Sequence, residues 1–271
     1  MRVGFIGLGS QGGPMARRIV QAGYPTTLWA RRPATLEPFA DTAAQIATSP
    51  AELAAASDLV CLCVVGDADV DEVTGGEHGV LAGLGRGGVI AVHSTVHPET
   101  CRRLAKKAAA QGVSVVDAPV SGGGPAAARG RLLAMVGGEA DVVERCRPVM
   151  QTYADPVVRL GGVGSGQTAK LLNNLLFTAN LGTAATALSL AKTFGLSADR
   201  FIEVVGLSSG KSFALNAIGG TGSLDRLAGL AGTLLQKDVR LVADLADQAA
   251  ACGGAVLDAA DAALDLMECP R

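Results

Sequence analysis

Through the first 160 residues, short apolar runs rich in β-branched residues alternate with stretches whose apolar positions recur every three to four residues. RVGFI at 2–6, PTTLW at 25–29, DLVCLCVV at 58–65, GVIAVH at 88–93, VSVVD at 113–117, LLAMVG at 132–137 and VVRL at 157–160 read as strands, with helical stretches such as 98–111 between them. This alternation predicts a mostly parallel sheet with helices on both faces. The near-continuous run Leu59–Val65 suits a central strand covered on both sides. After Leu160 the pattern changes. GGVGSGQ at 161–167 is a hinge-like stretch, and 167–194, with no proline and one interior glycine, predicts a single long helix. Further helices are expected at 234–251 and 255–267, with loops at 206–211 and 219–223. The chain therefore divides into an α/β domain at 1–161 and an all-α domain at 162–271.

Composition narrows the class. A chain of 271 residues has length for one or two domains, at about 150 residues each. Apolar residues make up 49% and charged residues 18%, and 23 Lys+Arg against 25 Asp+Glu leave a formal charge of -2. That balance excludes a disordered chain and a nucleic-acid-coating one. The longest apolar run is too short to span a bilayer, and glycines and Pro14 interrupt the N-terminal stretch before it resembles a signal peptide. The expectation is a soluble, cytoplasmic protein without a membrane or nucleic-acid partner. The six cysteines include no C-x-x-C pair, and Cys61 and Cys63 share one face of a strand, a core pattern.

The first chemical signal is Gly7-Leu8-Gly9-Ser10-Gln11-Gly12, directly behind the first strand and ahead of a helix. In a βαβ unit the first glycine makes a tight turn, the second admits a pyrophosphate to the backbone, and the third lets helix pack on strand. The helix N-terminus then binds the phosphates. This is the fingerprint of a Rossmann-type, doubly wound dinucleotide-binding domain. Where an acidic residue would hold the adenosine ribose, the second strand ends in Trp29-Ala30-Arg31-Arg32. Two guanidiniums and no carboxylate point to a 2′-phosphate, hence to NADP ahead of NAD. A solvated arginine pair is the alternative.

The second signal is Lys170 and Asn174, four residues apart and so on one face of the long helix, where that helix enters a cleft expected at the domain boundary. A lysine there is ordinarily a solvated charge. Four segments in order supply more context: GLGSQGGPMARRIVQAG at 7–23, DAPVSGG at 117–123, GSGQTAKLLNN at 164–174 and QKD at 236–238. With these the chain resembles the β-hydroxyacid dehydrogenase family, which includes 3-hydroxyisobutyrate dehydrogenases and tartronate semialdehyde reductases, over nearly its whole length.

The resemblance implies an NAD(P)-dependent enzyme acting on a small β-hydroxyacid or semialdehyde carboxylic acid. By motif match, Lys170 is the general acid/base and Asn174 orients the substrate. Ser121, Gly122 and Gly123 hold the substrate carboxylate, and Thr95 contacts both substrate and cofactor. Val64 and Val65 pass under the cofactor, and Asp69 and Lys237 join Gly7–Gly12, Arg31 and Arg32 among the cofactor-binding residues. No metal is implied. A homodimer or homotetramer is. The chemistry is coherent: as a carbonyl carbon accepts a hydride, charge grows on its oxygen, and a lysine ammonium in reach stabilises and then protonates it. A lysine whose pKa is lowered in a cleft predicts oxidation that rises with pH.

The chain departs from the family pattern at several positions. Ala30 replaces a common Asn, Val65 a common Pro and Thr186 a frequent Glu; Gly13 is an extra glycine, and the chain stops at Arg271, about where the family continues into a last helix. Other signals lead elsewhere. Gly206–Ser212 resembles a P-loop but lacks one spacer residue and a preceding strand, His93 and His97 have no third metal ligand in register, and the Arg102, Arg103, Lys106, Lys107 cluster reads as a solvated helix face. Two other functions stand beside the dehydrogenase: an imine reductase, against which Lys170 argues, and a catalytically silent NADP-binding module.

Overall fold

The apolar runs pair into one sheet of nine strands, described here from a computed structural model covering residues 1–271. In chain order the first unit contains β1 (Val3–Ile6), α1 (Gly12–Gln21), β2 (Thr26–Trp29), β3 (Gln45–Ile46), α2 (Pro50–Ala55), β4 (Leu59–Leu62), α3 (Asp67–Thr74) and α4 (Val80–Gly83). It continues with β5 (Val89–Val92), α5 (Pro98–Ala109), β6 (Ser114–Asp117), β7 (Val120–Ser121), α6 (Gly123–Ala128), β8 (Leu132–Gly137), α7 (Ala140–Met150) and β9 (Ala154–Gly161). The strand order is β3-β2-β1-β4-β5-β6-β8-β7, with β9 on β8. Neighbours from β3 through β6 are parallel, β8 runs antiparallel to β6 and β7, and β9 is parallel to β8. The order reverses between β1 and β4, so the crevice beyond their C-terminal ends is the switch point where open α/β sheets bind ligands.

Period-two alternation sorts the strand residues to the two faces. Val3, Phe5, Leu59, Cys61, Val89 and Ala91 pack with Met15, Ala16 and Ile19 of α1, while Ile6, Val60, Leu62, Ile90 and Val92 pack with Leu53 of α2 and Cys101 and Leu104 of α5. Every residue of β4 is fully buried, as expected for a central strand. Each such side chain stabilises the fold by about 1.5–3 kcal/mol. All six cysteines are free thiols. No helix is long and apolar enough to cross a membrane.

The chain forms two compact units, Met1–Lys170 and Leu171–Arg271. Helix α8 (Ser165–Thr193) begins in the first and continues in the second, which adds α9 (Ala198–Gly206), α10 (Phe213–Thr221), α11 (Leu224–Gln248) and α12 (Gly254–Leu266). Leu171, Leu175, Leu181, Leu215, Val239 and Leu264 form the core of that second unit.

Four local expectations need correction. β3 and β7 are two-residue strands without an apolar run of their own, and both residues of β3 are exposed. Helix α11 starts ten residues before 234, capped by Ser223, whose hydroxyl accepts the Arg226 N–H at 3.2 Å. Residues 219–221 are the end of α10, not a loop: Gly219 lies against Ile202 of α9, so the missing side chain makes room for a neighbouring helix. In the stretch 161–167, Gly161 ends β9 and Ser165 already starts α8, which leaves only 162–164 between them.

Candidate active site

The glycine turn joins β1 to α1 with the spacing a dinucleotide site needs. Gly7 has φ +98°, and a Cβ there would lie 2.2 Å from the Cys63 carbonyl oxygen; at Gly12 it would lie 1.9 Å from the Gly7 oxygen. Neither position tolerates a side chain. Gly9 differs. A Cβ there meets nothing within 4 Å, so the protein leaves space at the glycine whose role is to admit phosphate. Leu8, Ser10 and Gln11 complete the turn and precede the N-terminus of α1, where free amides favour an anion. The residues present therefore fit a dinucleotide. A cavity of about 470 Å³ flanks the turn, lined by Leu8, Gly9, Arg17, Thr35 and Phe39.

Parallel register carries further candidates to the same sheet edge. Ile6 pairs with Leu62, and Leu62 with Val92, so the residues that follow each strand emerge together. These are Gly7, then Val64 and Val65 after β4, then Thr95 after β5. Val64 donates its N–H to Ser94 Oγ at 2.8 Å, and Val65 is 66% exposed. Thr95 is partly buried.

Ser121 ends β7 opposite Leu133, and Gly122 and Gly123, with φ of +128° and +73°, turn the chain into α6. A Cβ on Gly124 would lie 2.4 Å from the Ser10 carbonyl oxygen, so this turn abuts the dinucleotide turn. Helix α8 starts beside the same strand, where a Cβ on Gly166 would lie 2.3 Å from the Met135 oxygen of β8. Lys170, partly buried, follows one turn later.

The arginine pair occupies two settings. Arg31 is 64% exposed and is held by Asp69 at 3.0 Å and Glu72 at 3.1 Å, both on α3. Asp69 also accepts the Gly66 N–H at 3.2 Å. Arg32 is exposed. Glu72 was not legible as a site residue, since nothing in the spacing of 31 and 72 joins them.

In the second unit, Asn174 donates Nδ2–H to Asp238 Oδ2 at 2.6 Å, and Lys237 Nζ lies 2.9 Å from Asp238 Oδ1. Asp238 is buried. In the Gln236-Lys237-Asp238 segment the family resemblance marks only the lysine; the signal for Asp238 was an acid next to that lysine on a helix rich in apolar residues. The two histidines set aside above are structural neighbours of the sheet. His93 is buried, with Nδ1 2.7 Å from the Ala118 carbonyl oxygen and Nε2 3.2 Å from the Tyr153 hydroxyl, and burial lowers its pKa to about 4. His97 caps α5, its Nδ1 accepting the Glu99 N–H at 3.1 Å.

Comparison with known proteins identifies the family. Residues 2–162 match the family model described as the NAD binding domain of 6-phosphogluconate dehydrogenase, and residues 164–265 match the one described as NAD-binding of NADP-dependent 3-hydroxyisobutyrate dehydrogenase. The chain belongs to the β-hydroxyacid dehydrogenase family. It is similar to the mitochondrial 3-hydroxyisobutyrate dehydrogenase of Mus musculus, at 34% identity over 90% of this chain and 75% of that protein. It is also similar to 2-(hydroxymethyl)glutarate dehydrogenase of Eubacterium barkeri, at 36% identity over 80% of this chain and 72% of that protein. Among solved structures, the 3-hydroxyisobutyrate dehydrogenase of Mycobacterium tuberculosis with L-serine superposes with a TM-score of 0.87 at 27% identity, covering 99% of this chain and 94% of that one. An imine reductase from Pseudomonas sp. shares the fold alone, with a TM-score of 0.68 at 21% identity over 94% of this chain and 89% of that one. As a member of the β-hydroxyacid dehydrogenase family, the chain is an NAD(P)-dependent oxidoreductase of the class that acts on CH–OH groups.

Proposed function

We propose that this member of the family interconverts a small β-hydroxyacid and its semialdehyde, that it prefers NADPH, and that Lys170 is its proton donor and acceptor. The observation that carries the reading is the place of Lys170, one turn into a helix that starts beside the strand paired with Ser121. When bound, the reduced nicotinamide supplies the hydride. The chain's own residues do the rest. Lys170 gives a proton to the oxygen as negative charge develops there, and in oxidation its neutral amine takes the hydroxyl proton. Ser121 and the amides of Gly122 and Gly123 form a concavity suited to a carboxylate. Thr95, whose flanking backbone Gln167 holds, contacts substrate and cofactor in this reading, and Asn174, oriented by Asp238, binds the substrate on the same face of α8 as Lys170.

On the cofactor side, Gly7 through Gly12 receive the pyrophosphate, Val64 and Val65 underlie the dinucleotide, and Lys237 is a further cofactor-binding residue. A 2′-phosphate would draw Arg31 from Asp69 and Glu72 and engage Arg32. The reading includes a cytoplasmic location, functional domains at 1–161 and 162–271, and a homodimer or homotetramer. Support for the last comes from α8, which leaves Leu172, Leu176, Leu190 and the adjoining Phe194 exposed.

The test follows NADPH and NADH absorbance with small semialdehydes, glyoxylate and cyclic imines, and with 3-hydroxyisobutyrate and L-serine for oxidation. Lys170→Ala is expected to lower kcat by at least about a hundredfold, within the range general acid/base catalysis supplies. Its NADPH affinity, read by fluorescence, should stay within twofold. Undiminished turnover in that variant, or turnover of imines without any acid substrate, overturns the reading.

A further inference from the structure

Between the three elements that carry Val64, Thr95 and Lys170 lies a buried polar network that the proposed chemistry does not itself use. Asp117, at the end of β6, has no exposed surface, yet both its oxygens are occupied: Oδ1 accepts the Gly164 N–H at 2.6 Å and Oδ2 accepts the Gln167 N–H at 2.8 Å. Gly164 immediately precedes α8 and Gln167 lies in its first turn, and Gly164 has no side chain with which to cap the helix. The cap therefore comes from a strand 47 residues earlier in sequence. The fully buried Gln167 extends the connection in the other direction. Its Nε2 donates to the Ser94 carbonyl oxygen at 2.8 Å, and its Oε1 accepts the Val96 N–H at 3.1 Å, so one amide grips the backbone on either side of Thr95. Ser94 Oγ in turn accepts the Val64 N–H at 2.8 Å, and Asp67 Oδ1 accepts the His97 N–H at 2.9 Å.

We propose that Asp117 and Gln167 are positioning residues for the reaction, locking the first turn of the Lys170 helix to the Thr95 loop so that ammonium and loop hold one fixed geometry. The inference rests on the reading of Lys170 as proton donor. The physical reasoning is that a helix end is ordinarily its most mobile part, since its first amides lack intrahelical partners. Lys170 stands only three residues past Gln167, within that end. Misplacing a catalytic group by about 1 Å costs on the order of a hundredfold in rate. Because both groups of the fully buried Gln167 amide are used, a side chain of the same length without them leaves two backbone groups unsatisfied and loosens the lock.

Gln167→Met keeps length and volume while removing donor and acceptor. Kinetics of 3-hydroxyisobutyrate oxidation are compared with wild type, with NADPH affinity by fluorescence and the folded fraction at assay temperature by circular dichroism. The expected result is a kcat lowered tenfold to a hundredfold, NADPH affinity within about threefold, and a displaced pH limb of kcat/KM in a folded protein. A kcat within twofold of wild type, or a loss that only tracks the folded fraction, overturns the proposal. Should Gln167→Met not fold, Gln167→Glu decides. Its carboxyl, when protonated, restores the donor to the Ser94 oxygen, so kcat relative to wild type should climb as pH falls from 8 to 5, and a flat ratio refutes the lock. Lys170→Ala separates the two readings. Turnover retained there sinks the proton-donor assignment, whereas an inactive Lys170→Ala beside a fully active Gln167→Met sinks only the lock.

Discussion

Acid should loosen the first unit through His93. The imidazole is buried between the Ala118 carbonyl and the Tyr153 hydroxyl, with its ring stacked 6.4 Å from Phe5. With Nδ1–H donating to Ala118 and Nε2 accepting from Tyr153, the neutral ring has both nitrogens satisfied, whereas protonation would place a net charge in a fully buried site. Burial accordingly lowers the pKa from 6.5 to about 4. The sign follows: the unfolded chain takes up a proton near pH 6.5 and the folded chain only near pH 4. Stability from this group is whole above pH 6.5 and declines as pH falls toward about 4, by up to about 1.4 kcal/mol per pH unit and roughly 3 kcal/mol in all. Trp29, the single tryptophan, sits on β2 and reports this unit by fluorescence in urea titrations at pH 7, 6 and 5. His93→Gln retains a donor and an acceptor but cannot titrate. It should be about 1 kcal/mol less stable at pH 7 for loss of the stacked ring, and nearly flat from pH 6.5 to 5. The ion-paired carboxylates Asp41, Asp58 and Glu144, held below their ordinary range by arginine partners, lose their contribution at lower pH and do not imitate the effect. Parallel losses in wild type and variant between pH 6.5 and 5 would refute the reasoning.

Three further outcomes are expected. Arg31→Ala combined with Arg32→Ala should raise KM for NADPH at least about tenfold while leaving KM for NADH within twofold, since a charge-assisted guanidinium contact to phosphate contributes about 1.5–3 kcal/mol; equal effects on the two cofactors would remove the 2′-phosphate assignment. Glu72→Gln releases Arg31 from one competing carboxylate across an exposed pair worth about 0.2–1 kcal/mol, so KM for NADPH should fall by up to about fivefold with NADH unchanged, and steady-state kinetics with both cofactors check this. Asp238→Ala removes the acceptor of Asn174 and the anion beside Lys237 from a buried position, which should cost about 1–3 kcal/mol by thermal melting and raise KM for the acid substrate; an unchanged melting point and KM would show that Asp238 orients nothing.

What the sequence determined by itself is whatever depends on neighbours along the chain. The strand runs, the glycine turn at 7–12, the long helix expected over 167–194 and the Lys170–Asn174 pair all follow from period, turn geometry and helical spacing, and the structure contains each of them, the helix at Ser165–Thr193. The caps at Ser212 and Ser223 are local signals as well, obscured because the glycines at 219, 220 and 222 read as loop. Only the tertiary structure shows that Gly219 and Gly232 belong to helices: they lie where Ile202 and Cys269 approach, so the missing side chains serve packing. The same holds at the candidate site. Glu72 meets Arg31, Asp117 caps a helix 47 positions away, Gln167 grips the Thr95 loop and Asp238 binds Asn174, and no periodicity links any of these pairs. A hydrogen bond depends on separation in space, and folding brings together groups whose separation along the chain carries no trace of that meeting.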